Sequence, residues 1–174
     1  MTSCLRAPLF AMTLTALLGL TYISTSASSE GGDELPAVVK KIAASIKKGD
    51  VDGAKKLAKA TAANPKLIEE IPDLMHMYRP TDKGGLGIEK ALKKTTAKEA
   101  DELGNQVIAM AELTLAKGWP KDQGKRTKKA WNEFTEEMRS AAQDLAKAKN
   151  DKAAAAAANK VNNACTRCHT VFKD

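Results

Sequence analysis

Near the end of the 174-residue chain stands Cys165-Thr166-Arg167-Cys168-His169. On a helix, positions i, i+3 and i+4 share a face. Two thiols so spaced can add across the two vinyl groups of one porphyrin, and the histidine beside the second reaches the iron as its proximal ligand. The motif therefore predicts one covalent haem c, with Cys165 and Cys168 as the thioether residues and His169 on the iron. Covalent attachment also suits an exported protein, which has no means of recovering a lost cofactor. Two other chemistries use the same residue types. A redox disulfide needs a βαβ setting, and no stretch of this chain alternates with period two. A zinc site would combine Cys165, Cys168 and His169 with the only other histidine, His76. It gives no reason for a histidine directly after the second cysteine.

What stands across the iron decides between functions. A methionine there gives a low-spin iron of raised potential, suited to electron transfer, whereas an open position favours NO or CO. Candidates lie in Leu74-Met75-His76-Met77-Tyr78-Arg79. Met75 continues the apolar stripe of Leu67 and Ile71 and is the expected sixth ligand, with Met77 and His76 as alternates. The competing account is that Met75 fills a gap in the core, as methionine commonly does. Pro72 leaves the register open, and one residue rotates a helix by about 100°. Met110 and Met138 are expected in the core. A peroxidase or nitric oxide reductase would need a distal acid–base pair, for which only His76 and Arg79 present themselves. A non-enzymatic carrier or gas binder is therefore expected.

The elements that must position these residues are helical. Alanine, lysine, glutamate and leucine dominate. A first helix is expected from Glu34 to Lys48, with Leu35, Val38, Val39, Ile42 and Ile46 on one face. Gly49-Asp50 interrupts it, and a second runs from Val51 to Ala63. Asn64-Pro65 reads as a cap and first-turn proline, opening a stretch disturbed by Pro72 and ended by Arg79-Pro80. Residues 79–95 read as a turn-rich loop. Its Lys83-Gly84-Gly85-Leu86-Gly87 lacks both the Lys-Ser/Thr and the strand context of a phosphate loop. Three longer helices are expected at 97–117, 125–149 and 151–172. The second of these carries Trp131, Phe134, Met138, Ala141, Leu145 and Ala148 at bundle spacing. The third opens with Ala153–Ala158 and then presents Val161, Cys165, Cys168 and Phe172 on one stripe. Short connections make these three antiparallel neighbours, and the N-terminal helices supply the remaining wall. The expected fold class is all-α, a four-helix bundle with an irregular N-terminal region.

Trp131 and Phe134 opening the penultimate helix, the alanine run, Ala164-Cys165-Thr166-Arg167-Cys168-His169, and the closing Phe172-Lys173 together resemble the cytochrome c prime family over residues 97–174. The resemblance implies a four-helix-bundle cytochrome with a C-terminal haem site. In low-spin members a methionine of the first helix completes the iron's shell. Members usually begin with one long helix facing the iron, where this chain has a broken region and a glycine-rich loop.

The N-terminus carries an address. Arg6 is the only charged side chain before Glu30, an apolar run extends to Ile23, and Ser24-Thr25-Ser26-Ala27 follows. That order predicts a secretory signal peptide, residues 1–27, cleaved after Ala27, and hence a periplasmic or otherwise exported protein. The apolar run is short for a retained anchor, which needs roughly 20 residues. A flexible leader, 28–33, would precede a single domain over 34–174. Loss of Arg6 lowers the net charge from +7 to +6. Eight lysines between Lys40 and Lys66 face only Asp50 and Asp52, and Lys121, Lys125, Arg126, Lys128 and Lys129 form a second cluster. Most such lysines are a solvated helix face, but a basic surface also steers an acidic redox partner. Nucleic acid is not expected, because the five aromatics beyond residue 27 do not interleave with the basic runs. A homodimer is compatible with the composition.

Overall fold

The computed structural model describes residues 34–173, and these are all-helical, with no strand among them. The expected signal peptide and leader lie outside the described residues. The helices are α1 (Glu34–Lys47), α2 (Val51–Ala62), α3 (Ile71–His76), α4 (Ile88–Leu92), α5 (Ala97–Lys117), α6 (Lys128–Ala146) and α7 (Asp151–Phe172), with a 3₁₀ turn at Thr81–Lys83. None of them is long and apolar enough to cross a membrane.

The sequence begins and ends these helices by familiar chemistry. Asp50 accepts from the Gly53 amide and Thr127 from the Ala130 amide, each capping its helix. Thr96 and Glu99 form a capping box on α5. Asp151, in the first turn of α7, accepts from the Ala97 amide at 2.7 Å and so ties the start of α7 to the start of α5.

Helix α5 is the axis of the fold. Val107, Ala109, Met110, Ala111 and Leu113 are fully enclosed. Helices α1 and α2 pack on one side of it and α6 on the other, while α7 packs chiefly on α6. Among the described residues α1 and α7 do not touch, so the N-terminal helices do not supply α7's remaining wall. That wall comes from α4, which contacts both α5 and α7. Residues 79–95 are accordingly more than the expected loop: Ile88 and Leu92 are apolar enough to be buried, and burying them makes a short helix.

Pro72 also behaves differently from the expected disturbance. It sits in the first turn of α3, where no intrahelical amide is needed, so it starts the helix. Asp73 accepts from the Glu69 and Glu70 amides at 2.9 and 2.8 Å, which fixes the entry. On α6 the buried stripe is Trp131, Thr135, Met138, Ala141, Ala142 and Leu145. Thr135 turns inward because its hydroxyl donates to the Trp131 carbonyl, leaving Phe134 half-buried. The Trp131 indole donates to the Thr114 carbonyl at 3.1 Å and pins α6 to the end of α5. Glu112, buried on α5, is matched by Arg139 at 2.9 Å.

Gly104 explains how closely α5 and α6 approach. A Cβ there would lie 2.5 Å from the Ala146 backbone nitrogen. Gly104→Ala is expected to destabilise the fold by about 1–2 kcal/mol. Overpacking costs roughly 1–3 kcal/mol, towards the upper end here because the obstacle is backbone, and the better helix propensity of alanine, about 1 kcal/mol, offsets part of it. Thermal unfolding of the variant beside the parent measures the difference; an unchanged or raised midpoint contradicts this close approach.

Candidate functional site

Helix α7 carries Cys165, Cys168 and His169 in its last two turns. Val161 and Ala164 are buried, Cys165 and Cys168 half-buried, and His169 exposed. The two thiols therefore sit where the helix's apolar stripe reaches the surface. Cys165 Sγ lies 3.8 Å from Met138 Sδ on α6. The Tyr78 hydroxyl reaches the same sulfur at 3.4 Å. Tyr78, Met138 and Cys165 thus form one contact group drawn from three parts of the chain. Burial pushes both thiols up, to about 11, so they stay protonated at neutral pH. Burial, followed by the charges of Cys165 and Cys168, holds the Tyr78 phenol well above its ordinary range.

The last turn of α7 is anchored by aromatic packing. Phe172 stands edge-on to Trp119 at 4.6 Å and to Trp131 at 5.1 Å between centroids, with Phe134 at 6.3 Å. The Trp119 indole nitrogen is buried and finds no hydrogen-bond partner among the described residues. The Arg126 guanidinium donates to the Val171 carbonyl at 3.0 Å, a favourable use of a cation at a helix C-terminus. Arg167 pairs with Glu137 and lies over the Phe134 ring.

Tyr78 is held by the glycine-rich segment. The Leu86 amide donates to the Met77 carbonyl at 2.8 Å, Gly87 to Arg79 at 2.7 Å and Glu89 to Tyr78 at 3.0 Å. The chain therefore folds back on itself from 77 to 89. A Cβ on Gly85 would fall 2.1 Å from the Arg79 carbonyl oxygen, so only glycine passes there. Gly84 and Gly87 take left-handed backbone at φ 76° and 74°. The segment is a clasp that presents Tyr78 to α6 and α7.

The trio considered for the sixth position divides between two faces. Met77 is buried and His76 exposed, and both line an open cleft of about 310 Å³ with Leu35, Pro65, Leu67 and Asp73, away from the cysteines. Met75 is half-buried against the core and stands three residues before Tyr78. The Tyr78 amide bonds back to the Met75 carbonyl in a tight turn, and residues three apart in such a turn eclipse one another. Met75 therefore shares Tyr78's side of the segment. Arg79 is exposed.

The sequence alone assigns Tyr78 no role and Met138 only a place in the core, where it is indeed buried. Met138 carried a usable signal, because it lies on the α6 seam that must face α7. Tyr78 carried none, since its approach depends on the fold of residues 77–89.

The residues fit a c-type haem in their donor chemistry. Two neutral thiols share one partly covered stripe, and the following histidine has an exposed imidazole. Among the described residues no group of three or more His, Cys, Asp or Glu side chains converges on a metal-sized space. A tetrahedral zinc site needs four converging donors, while haem iron asks the motif for one. No protein-family model, no curated protein and no solved structure matches this chain.

Proposed function

We propose that this chain is an exported monohaem c-type cytochrome of the cytochrome c prime kind, a four-helix bundle with one irregular side, carrying single electrons to or from an acidic redox partner protein. The observation that carries the reading is the register of Cys165, Cys168 and His169 on the last turns of α7, with both thiols half-buried and the imidazole exposed.

Haem, when bound, supplies a one-electron iron couple. Cys165 and Cys168 would hold it through thioethers, and His169 would ligate the iron through a ring nitrogen. Met138 and the Tyr78 ring form an apolar wall beside the cysteines. Limiting water there raises the potential by disfavouring the more charged oxidised state. Met75, on Tyr78's side of the clasp, is the proposed sixth ligand, ahead of Met77 and His76. A redox disulfide at Cys165 and Cys168 is the weaker account, because reactive pairs of this spacing sit at helix N-termini, which lower a thiol's pKa. Here the pair lies in the last turns of a 22-residue helix.

One observation favours a second reading, a five-coordinate haem that binds NO or CO. Among the described residues the Tyr78 hydroxyl, beside the cysteines, donates to a thioether alone, and a phenol so placed would donate well to a bound diatomic.

Metal and pyridine-haemochrome analysis test the proposal. Protein matured in an oxidising compartment with haem-attachment machinery is expected to hold one iron per chain, as haem c. Stoichiometric zinc without iron would overturn it.

A further inference from the structure

Two basic regions compete as the docking face, and the fold separates them. The richer one, on α1 and α2, packs against α5 only, and neither helix touches α6 or α7. Its helical lysines are therefore carried on helices that make no contact with the cysteine-bearing one. The smaller region, residues 119–129, is bound to the last turn of α7 at both ends. Trp119 packs on Phe172 at 4.6 Å, and the Arg126 guanidinium donates to the Val171 carbonyl at 3.0 Å. Between them the chain makes a closed turn. Gln123 and Arg126 exchange backbone hydrogen bonds at 2.8 and 2.9 Å, and Gly124 supplies the positive φ. The Lys128 amide donates to Asp122 at 2.7 Å, closing the turn onto the start of α6.

This turn exposes Lys121, Lys125, Lys128 and Lys129. Among the described residues Lys121, Lys125 and Lys128 make no ion pair, and Lys129 only a loose one with Glu133 at 3.9 Å. Lys173, one residue beyond α7, adds to the same end. The side chains are solvated, but the backbone that carries them is fixed to the helix of His169.

We infer that the 119–129 turn, and not the lysine-rich face of α1 and α2, is the electron-transfer docking surface, and that it receives an acidic redox protein. The inference rests on the haem reading of Cys165, Cys168 and His169. Electron transfer falls off steeply with distance, so a partner steered to the far side of α5 would gain encounter without transfer. Steering by a local cluster decays over about 8–10 Å at physiological salt, so the cluster that matters is the one at the haem end. A second copy of this chain would meet like charge on this surface and is the poorer occupant.

Two small oxidants of opposite charge test the assignment without a known partner. The reduced protein loses one electron, and either hexacyanoferrate(III) or tris(phenanthroline)cobalt(III) gains it. The pair Lys125→Glu/Lys128→Glu and the pair Lys55→Glu/Lys56→Glu change the net charge equally. They alter exposed residues, the first pair in the turn bound to the end of α7 and the second in the first turns of α2, and circular dichroism checks that each variant folds. At low ionic strength the 125/128 pair is expected to slow oxidation by the anion about tenfold and to speed oxidation by the cation, within the range of electrostatic steering. The 55/56 pair should leave both rates within about twofold. Equal effects from the two pairs, or no effect from the 125/128 pair, would overturn the assignment while leaving the haem reading intact. Haem-free protein would end both, and its absorption spectrum reveals that before any rate is taken.

Discussion

Protein matured with haem-attachment machinery is expected to keep its red colour through denaturation and acid-acetone extraction, while the Cys165→Ala/Cys168→Ala double variant releases all of it to the organic phase. The effect is all-or-none because thioether bonds survive conditions that dissolve every non-covalent contact. Either single variant should retain one thioether and yield less holoprotein, with a shifted pyridine-haemochrome band. Both side chains are only half-buried, so each truncation removes little packing. The helix content of the apo chain should hold, because α7 is secured elsewhere, by Phe172 among the tryptophans and by Asp151 at its start. Colour lost from the parent protein in the same extraction would refute covalent attachment.

The second large effect is expected at Met75. If its sulfur completes the iron's shell, the reduced parent is low-spin and binds CO slowly, because the sulfur must leave first. Met75→Ala should then give a high-spin reduced spectrum, a lower potential and rapid CO uptake. Met77→Ala and His76→Ala should change the haem spectrum little, since both residues line the cleft beside Leu35 and Pro65. Met77→Ala should cost stability instead, about 2–5 kcal/mol for a buried methionine. A parent that is already high-spin when reduced and takes up CO at once would remove all three candidates and favour the gas-binding reading, with Tyr78 as the polar group beside the site.

Much of the fold was legible because helical periodicity is a strong signal over long segments. The periodic stripes of α5, α6 and α7 marked those helices, and Leu35, Val39 and Ile42 marked α1. Pro72 misled because a proline's meaning depends on whether it falls inside a helix or in its first turn, which the spacing of neighbouring apolar residues does not reveal. The 79–95 segment misled for a related reason. Its glycines announce turns, but what they accomplish, folding 77–89 back so that Tyr78 meets Met138, depends on contacts 60 positions apart. At the site, the cysteine and histidine spacing was readable because it is local chemistry on one helix. The neighbours of the cysteines were not, since they arrive from α6 and from the clasp. Charge was legible in amount but not in place. Eight lysines between Lys40 and Lys66, six of them on α1 and α2, outnumber the five basic residues of the second cluster, and only the packing puts the second cluster against the last turn of α7.

The tie between Asp151 and the Ala97 amide reaches across 54 positions. An exposed amide at the start of a helix is ordinarily satisfied by its own neighbours or by water. Here the first turn of α5 takes its acceptor from the helix that bears the cysteines, so undocking the start of α7 leaves that amide to water. Protection of a single backbone proton, on Ala97, consequently depends on the cysteine-bearing helix being docked.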